Sequence, residues 1–137
     1  MKKQFVLDAW AVLALLQKEE PAATRVKGLL EDAERGDVEL FISIINFGKV
    51  IYRIGKVQGE DEAQETLDEI RRLPLTLVPA TEAAVFAAVK FKMRYTISYA
   101  DAFAAATAED LGAVLVSGDP ELEQLGNQIQ IEKLERK

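Results

Sequence analysis

The stretch AVLVSGDP at residues 113–120 indicates most directly how this chain folds. Residues 113–117 form an apolar run that predicts a buried strand, and Gly118 ends it. Asp119 and Pro120 then favour the start of a helix, because Asp is a preferred N-cap and Pro is preferred at the first helical position. A strand that leads directly into a helix is typical of α/β domains.

The same alternation of strand and helix runs along the whole chain. The predicted strands cover residues 4–7, 38–42, 75–78, 113–117 and 129–131. The predicted helices cover residues 9–18, 21–35, 43–57, 60–73, 81–95, 98–111 and 120–125. Because no hairpin signal separates the strands, we predict a three-layer α/β/α sandwich with a central parallel sheet. Ligands bind such sheets beyond the carboxyl ends of the strands.

The length and composition favour one globular unit. The chain has 137 residues, and we predict a single domain over residues 1–137 because domains average ~150 residues. Its hydrophobic fraction of 49% and charged fraction of 29% exclude a disordered chain. No apolar run approaches the ~20 residues of a membrane span. We therefore expect a soluble, cytoplasmic protein without a membrane partner.

The residue types that are missing limit the chemistry of any site. The sequence contains no cysteine and no histidine, which excludes zinc sites built on thiolate or imidazole and any Ser–His–Asp arrangement. Catalysis would have to rest on carboxylates, lysines, hydroxyls or a bound ion. The formal net charge is −6, which argues against loose, charge-driven binding of nucleic acid over the whole surface and leaves a local basic strip open.

Three aspartates stand at predicted junctions with helices. Asp8 directly follows the first strand, Asp119 follows the strand at residues 113–117, and Asp101 lies in the first turn of the helix that begins at Ser98. Each has a purely structural interpretation, because Asp8 and Asp119 fit N-caps and Ser98 with Asp101 resembles a capping box. The carboxyl ends of parallel strands meet at one edge, however, so we expect the three side chains to converge.

A cluster of carboxylates needs a compensating charge. Like charges ~5 Å apart repel by a few kcal/mol at an effective dielectric constant of ~20. Oxygen ligands without histidine or cysteine select hard ions, so the cluster predicts Mg²⁺ or Mn²⁺ held by Asp8, Asp101 and Asp119. Such an ion is suited to phosphodiester hydrolysis.

Four ordered motifs resemble those of the PIN-domain ribonucleases, and most closely the VapC-type toxins of toxin–antitoxin pairs. They are LDAWAVLALL at residues 7–16, ISIINFGKVIY at 42–52, SYADAFAAATA at 98–108 and VSGDP at 116–120. The resemblance implies a Mg²⁺- or Mn²⁺-dependent endoribonuclease with Asp8, Asp101 and Asp119 at the family's acidic positions and Ser117 at its hydroxyl position. It also implies a homodimer and a partner antitoxin whose basic residue reaches the carboxylates.

Lys49 departs from the family pattern, which has a glutamate at this position. Replacing an attraction to a divalent ion by a repulsion at ~5 Å is worth up to several kcal/mol. Lys49 is therefore a natural divergence toward a non-catalytic domain, an inactivating change, or a cation that takes over part of the metal's charge. A fourth interpretation is an ordinary solvated helix residue.

Two stretches without carboxylates are candidates for RNA contact. Residues 40–59 carry Lys49, Arg53 and Lys56 at a spacing that places them on one helix face. Residues 83–100 carry a second pair, Lys90 and Arg94. Such pairs also occur as simply solvated faces.

The leading hypothesis is thus a metal-dependent endoribonuclease whose activity is reduced because Lys49 occupies the family's glutamate position. The alternative is a non-catalytic PIN-fold module that binds RNA or a partner protein. A receiver-type signalling domain is disfavoured, because the stretch LVPA at residues 77–80 offers no phosphoacceptor aspartate.

Overall fold

Five parallel strands form the central sheet of the computed structural model, which describes residues 2–137. The strand order is β3-β2-β1-β4-β5. The strands are β1 (Lys3–Leu7), β2 (Val38–Ser43), β3 (Thr76–Val78), β4 (Val114–Ser117) and β5 (Ile131–Lys133). The chain steps from β1 outward to β3 on one side and returns to place β4 and β5 on the other side. The crevice beyond the carboxyl ends of β1 and β4 is therefore the topological switch point, where open α/β sheets bind ligands.

Helices cover both faces of the sheet, which confirms the predicted α/β/α sandwich. The helices are α1 (Ala9–Leu16), α2 (Ala22–Glu34), α3 (Ile44–Gln58), α4 (Glu60–Arg71), α5 (Glu82–Arg94) and α6 (Tyr99–Leu111), followed by a 3-10 helix (Pro120–Leu125). Alternation along β1 separates two cores, because Phe5 and Leu7 pack with α1 to α4 whereas Val6 packs with α5, α6 and the 3-10 helix.

The position of the last strand differs from the position that the sequence predicted. Residues 129–131 were expected to form it, but β5 is Ile131–Lys133. Ile129 is buried in the second core and its backbone N–H donates to the Leu125 carbonyl at 3.1 Å. An apolar residue can reach a core from a turn as well as from a strand, so burial alone misplaced the strand by two residues. Residues 120–125 form a 3-10 helix rather than an α-helix.

Polar caps fix where the helices begin at the carboxyl edge of the sheet. Asp8, Ser43, Ser98 and Asp119 each accept a hydrogen bond from a backbone N–H in the first turn that follows them. At the opposite end of α6, Gly112 ends the helix with a φ of 62°, a conformation that other residues adopt at a cost. The caps place the first turns of α1, α6 and the 3-10 helix around the switch point.

The last four residues, which we call the C-terminal tail (residues 134–137), return along α1 and α2. The Leu134 N–H donates to the Ser117 carbonyl at 2.8 Å, and the Lys137 N–H donates to the Glu20 carbonyl at 3.0 Å. These bonds bring the tail to the edge where β4 ends. Among residues 2–137, no helix has both the length and the apolar character that crossing a membrane requires.

Candidate metal and nucleic-acid site

Asp8 lies at the bottom of the switch-point crevice. Its side chain is fully buried, and Oδ1 accepts the Ala11 N–H at 2.8 Å as the cap of α1. Its Oδ2 has no hydrogen-bond partner among the described residues. The capping interpretation is therefore correct for one oxygen of Asp8 and leaves the other for a different role.

Asp101 presents a second unpaired oxygen. It is 3% exposed, its N–H donates to the Ser98 Oγ at 3.1 Å, and its Oδ2 likewise has no partner within residues 2–137. A buried carboxylate oxygen without a donor is costly, because it gives up its hydration without replacement. Two such oxygens in one crevice are what a site for a cation would require.

Asn46 holds the helices that carry these aspartates. Its buried side chain accepts the Ala9 N–H through Oδ1 at 3.1 Å and donates from Nδ2 to the Ala100 carbonyl at 3.0 Å. One amide thus joins the first turns of α1 and α6 to α3. The sequence motif contained Asn46, but a side chain that spans three helices leaves no spacing signal.

Asp119 and Ser117 form the wall contributed by β4. The Ser117 Oγ accepts the Asp119 N–H at 3.0 Å, and the Asp119 Oδ1 accepts the Glu121 N–H at 3.0 Å. Carboxylate oxygens of Asp101, Asp119 and Glu121 all lie within 4.8 Å of one another, a group that does not include Asp8. Glu121 was missed from sequence because an acid in the first turn of a helix is expected for the helix dipole alone.

Burial raises the pKa of Asp8 to about 7, and the charge of Asp119 adds to the rise while the Ser117 hydroxyl and the Ala11 N–H oppose it. Burial likewise raises the pKa of Asp101 to about 7, reinforced by the adjacent Asp119 carboxylate and by the charge of Asp8. The three predicted aspartates therefore sense one another's charge. Near neutral pH the site holds protons that a bound cation would displace.

Lys49 belongs to this site electrostatically. It lies on α3, is half-buried, and its ammonium lowers the pKa of both Asp8 and Asp101. A residue that acts on two buried carboxylates is not a merely solvated helix residue, so the fourth interpretation of Lys49 is disfavoured.

A cavity of about 230 Å³ opens over the carboxylates. Its polar lining consists mainly of Lys49, Arg53, Arg136, Asp101 and Asp119, with Trp10 as its aromatic member. Asp8 lies below this lining. A slightly larger cavity, of about 280 Å³, lies between α5 and α6 but contains one acid and no cation, so it lacks the chemistry of the switch-point site.

The predicted RNA-contact residues divide into two groups. Arg53 lines the cavity. Lys56 is exposed one turn further along α3, with its Nζ 5.9 Å from the centre of the Tyr52 ring, and does not line it. Lys90 and Arg94 are exposed on α5 and do not line it either. Contact between these residues and RNA stays a prediction.

The donors at this site fit a hard divalent cation. Every acidic group is a carboxylate, two buried oxygens lack partners, and the sequence contains no cysteine or histidine. Lys49 opposes such an ion, because its charge already compensates part of the carboxylate charge.

The family model described as "PIN domain" matches residues 5–128. No curated protein sequence matches the chain at a significant level.

Several solved structures share the fold. VapBC2 from Rickettsia felis, bound to a DNA fragment from its promoter, is similar with a TM-score of 0.73 and 17% identity over 96% of this chain and 99% of that one. DNA-bound VapBC from Salmonella typhimurium is similar with a TM-score of 0.72 and 19% identity over 97% of this chain and 98% of that one. VapC20 from Mycobacterium tuberculosis is described as a toxin that cleaves the sarcin–ricin loop. It is similar with a TM-score of 0.71 and 13% identity over 89% of this chain and 95% of that one.

The buried carboxyl groups predict an unusual dependence of stability on pH. Because the folded pKa of Asp8, about 7, lies above its ordinary value of 3.8, the folded state binds more protons between those values. The free energy of unfolding of the metal-free protein should then fall as pH rises from 5 to 8. Asp8→Asn keeps the cap of α1, since Asn caps helices as well as Asp, and should remove on the order of 3 kcal/mol of this fall.

Urea unfolding in a chelator at pH 5, 6, 7 and 8 measures this difference. The exposed Asp110→Asn is the control and should track the original protein. Identical pH profiles for the original protein and Asp8→Asn would show that Asp8 ionises normally.

Glu121→Gln tests the carboxylate that the sequence did not reveal. If Glu121 contributes a ligand oxygen, its loss should weaken Mn²⁺ binding about three- to tenfold in calorimetry, since ~1.4 kcal/mol corresponds to a factor of ten. Glu123→Gln on the same 3-10 helix is the control, because the Glu123 Oε1 pairs with the Lys133 Nζ at 2.6 Å. Equal Mn²⁺ affinities for the two variants would exclude Glu121 from the site.

Proposed function

The chain belongs to the PIN domain family, and from that premise we propose that it is a metal-dependent endoribonuclease of the VapC type, the toxin of a toxin–antitoxin pair, whose activity Lys49 impairs. The observation that supports the proposal is the grouping of the Asp101, Asp119 and Glu121 carboxylates within 4.8 Å of one another, together with the unpaired buried oxygens of Asp8 and Asp101 and the cationic side chains that line the cavity. A similar fold belongs to VapC20, described as a toxin that cleaves the sarcin–ricin loop.

Asp8, Asp101 and Asp119, with Glu121 beside them, are the residues that would hold Mg²⁺ or Mn²⁺. When bound, such an ion supplies a water of lowered pKa and charge for the phosphate oxygens. Other residues of the chain position the carboxylates and bind the phosphate. The Ser117 hydroxyl fixes the loop that carries Asp119, and Asn46 fixes α1 and α6 relative to each other. Arg53 offers a guanidinium to a phosphate that enters the cavity.

Lys49 reduces the affinity of this site for a cation. Lys49 lines the cavity together with Asp101 and Asp119, and its charge opposes the rise in the pKa of Asp8 and Asp101. The same charge repels a divalent ion, and a charge reversal at ~5 Å is worth up to several kcal/mol. Each ~1.4 kcal/mol costs a factor of ten in affinity, so metal binding falls by orders of magnitude.

A partner antitoxin, a homodimer and residence in the cytoplasm complete the proposal. Two structures with this fold are VapBC assemblies, which supports a protein partner. Large apolar side chains are also exposed here, with Tyr52 and Val57 on α3 and Phe86 and Met93 on α5.

The second candidate function is a non-catalytic module of the same fold that binds RNA or a partner protein. Lys49 is the observation that favours it, because a cation at the position where the family has a glutamate removes one ligand and weakens the attraction for a metal ion. The two functions differ in whether the cluster binds Mn²⁺, which the following variant decides.

Lys49→Glu should restore Mn²⁺-dependent RNA cleavage and raise Mn²⁺ affinity at least tenfold, because it replaces a repulsion by an added ligand charge. Calorimetry and a cleavage assay on a mixed RNA substrate measure both effects. Lys56→Glu makes the same charge change on the same helix outside the cavity and serves as the control. If the original protein and Lys49→Glu cut equally, or neither cuts with any metal, impairment by Lys49 is disproved.

Arg53→Glu should weaken RNA binding more than Arg72→Glu does. Arg53 lines the cavity, whereas Arg72 is exposed at the end of α4, so only the first change places a negative charge beside the bound phosphate. Filter binding with a chelator present, at several salt concentrations, should show a several-fold difference in Kd. Equal losses for the two variants would mean that α3 does not follow the RNA backbone.

A further inference from the structure

Arg136 enters the same cavity from the C-terminal tail. Three cations line the cavity, Lys49, Arg53 and Arg136, against two acids, Asp101 and Asp119. Among the residues that line the cavity, cations outnumber acids, although Glu121 and the buried Asp8 add two more acids to the site as a whole. An anion would therefore bind at the cationic part of the cavity mouth.

The tail fixes the position of Arg136. On either side of it, the Ala22 N–H donates to the Glu135 carbonyl and the Lys137 N–H donates to the Glu20 carbonyl, both at 3.0 Å. Arg136 and Pro21 form an antiparallel bridge. The backbone of Arg136 is thus tied to the start of α2, which limits where its side chain can reach.

Trp10 sets the orientation of the guanidinium. The Arg136 Cζ lies 5.0 Å from the centre of the Trp10 ring, within the range of a cation–π contact. Trp10 in turn packs on Gly118, where a Cβ atom would lie only 2.2 Å from the indole. Glycine at 118 therefore allows the ring to lie against the loop that carries Asp119, and this places the stacked guanidinium near the carboxylate wall.

Arg136 has donors to spare for a ligand. Its Nη1 pairs with the Glu19 Oε1 at 3.1 Å, the one side-chain hydrogen bond it makes among residues 2–137. The side chain is 49% exposed. A guanidinium has five N–H donors in a planar fork that matches two phosphate oxygens, and stacking on an aromatic ring leaves that fork open at its edge.

We propose that Arg136 is a phosphate-binding residue of this site, stacked on Trp10, and that a single RNA strand crosses the cavity mouth between Arg136 and Arg53. The proposal rests on the proposed ribonuclease function and deepens it by naming a second contact to the RNA backbone. Neither cation touches the scissile position in this assignment. Arg136 holds a neighbouring phosphate and so sets the register of the strand over the carboxylates.

Binding of a fluorescein-labelled, single-stranded RNA of mixed sequence, measured by anisotropy with a chelator present to prevent cleavage, tests the proposal. Arg136→Gln should weaken binding about three- to tenfold and reduce the magnitude of the negative slope of log K against log salt by about 0.7, the value for one phosphate contact on a single strand. Arg35→Gln is the control, since Arg35 pairs with Asp32 and Asp37 at the end of α2 and should leave the affinity and the slope unchanged.

Trp10 is the only tryptophan in the chain and supplies a second, independent readout. Unlabelled RNA should change its emission in the original protein with the same midpoint as the anisotropy. This measurement needs no variant, so it holds even where Arg136→Gln fails to fold.

The outcomes separate the two proposals. If the original protein binds no RNA, the proposed function and this inference both fail. If it binds RNA but Arg136→Gln behaves like Arg35→Gln, or Trp10 emission does not respond, Arg136 is not a contact and the ribonuclease proposal stands. A matched loss of affinity and salt slope in Arg136→Gln, together with a response of Trp10, supports the inference.

Discussion

Two buried carboxyl groups, each with one oxygen that lacks a hydrogen-bond partner, constrain the rest of this structure. Asp8 and Asp101 each leave one oxygen unpaired, and burial raises the pKa of both to about 7. Ionising them in the folded state costs free energy that an exposed carboxyl would not lose, so the fold needs either protons, a cation or a neighbouring positive charge at this point. Carboxyl groups with strongly raised pKa values are typical of functional sites. The parallel sheet provides the place, because its strand order reverses beside β1 and opens the crevice in which these groups meet.

The scaffold holds the carboxyls together by satisfying every other polar group around them. The Asn46 amide bonds α1 and α6, and the Ser117 hydroxyl accepts the Asp119 N–H. Caps with one oxygen, as at Asp8, leave the second oxygen directed elsewhere. Capping and ligation are therefore compatible roles for one carboxylate, since the two oxygens can serve different partners. This explains why the structural and functional interpretations of the same residue do not exclude each other.

The sheet and its helical layers were predictable from the sequence, because the hydrophobic period is a local signal. That Asp8, Asp101 and Asp119 together form a metal site stays a prediction. The sequence could not predict Glu121 or Arg136. Glu121 comes near Asp101 only because the turn after β4 is a 3-10 helix, and Arg136 enters the cavity only because the tail pairs with Pro21. Both depend on the path of the chain rather than on spacing. The two-residue error at β5 has the same origin, since Ile129 is buried from a turn.

The acidity of the whole chain does not prevent this site from attracting a polyanion. At physiological salt the screening length is about 8 Å. A phosphate at the cavity mouth therefore interacts with the nearest charged side chains far more than with the net charge of the whole protein. Helix α4 carries many of the acids and lies outside the cavity lining, whereas Lys49, Arg53 and Arg136 lie within it. Net charge therefore governs nonspecific binding to the surface, and the local arrangement governs binding at the site. Lys49 then has two opposed effects, because the charge that weakens a divalent ion also strengthens the hold on a phosphate. Under the proposed function, a protein with Lys49 would therefore retain RNA better than it cuts it.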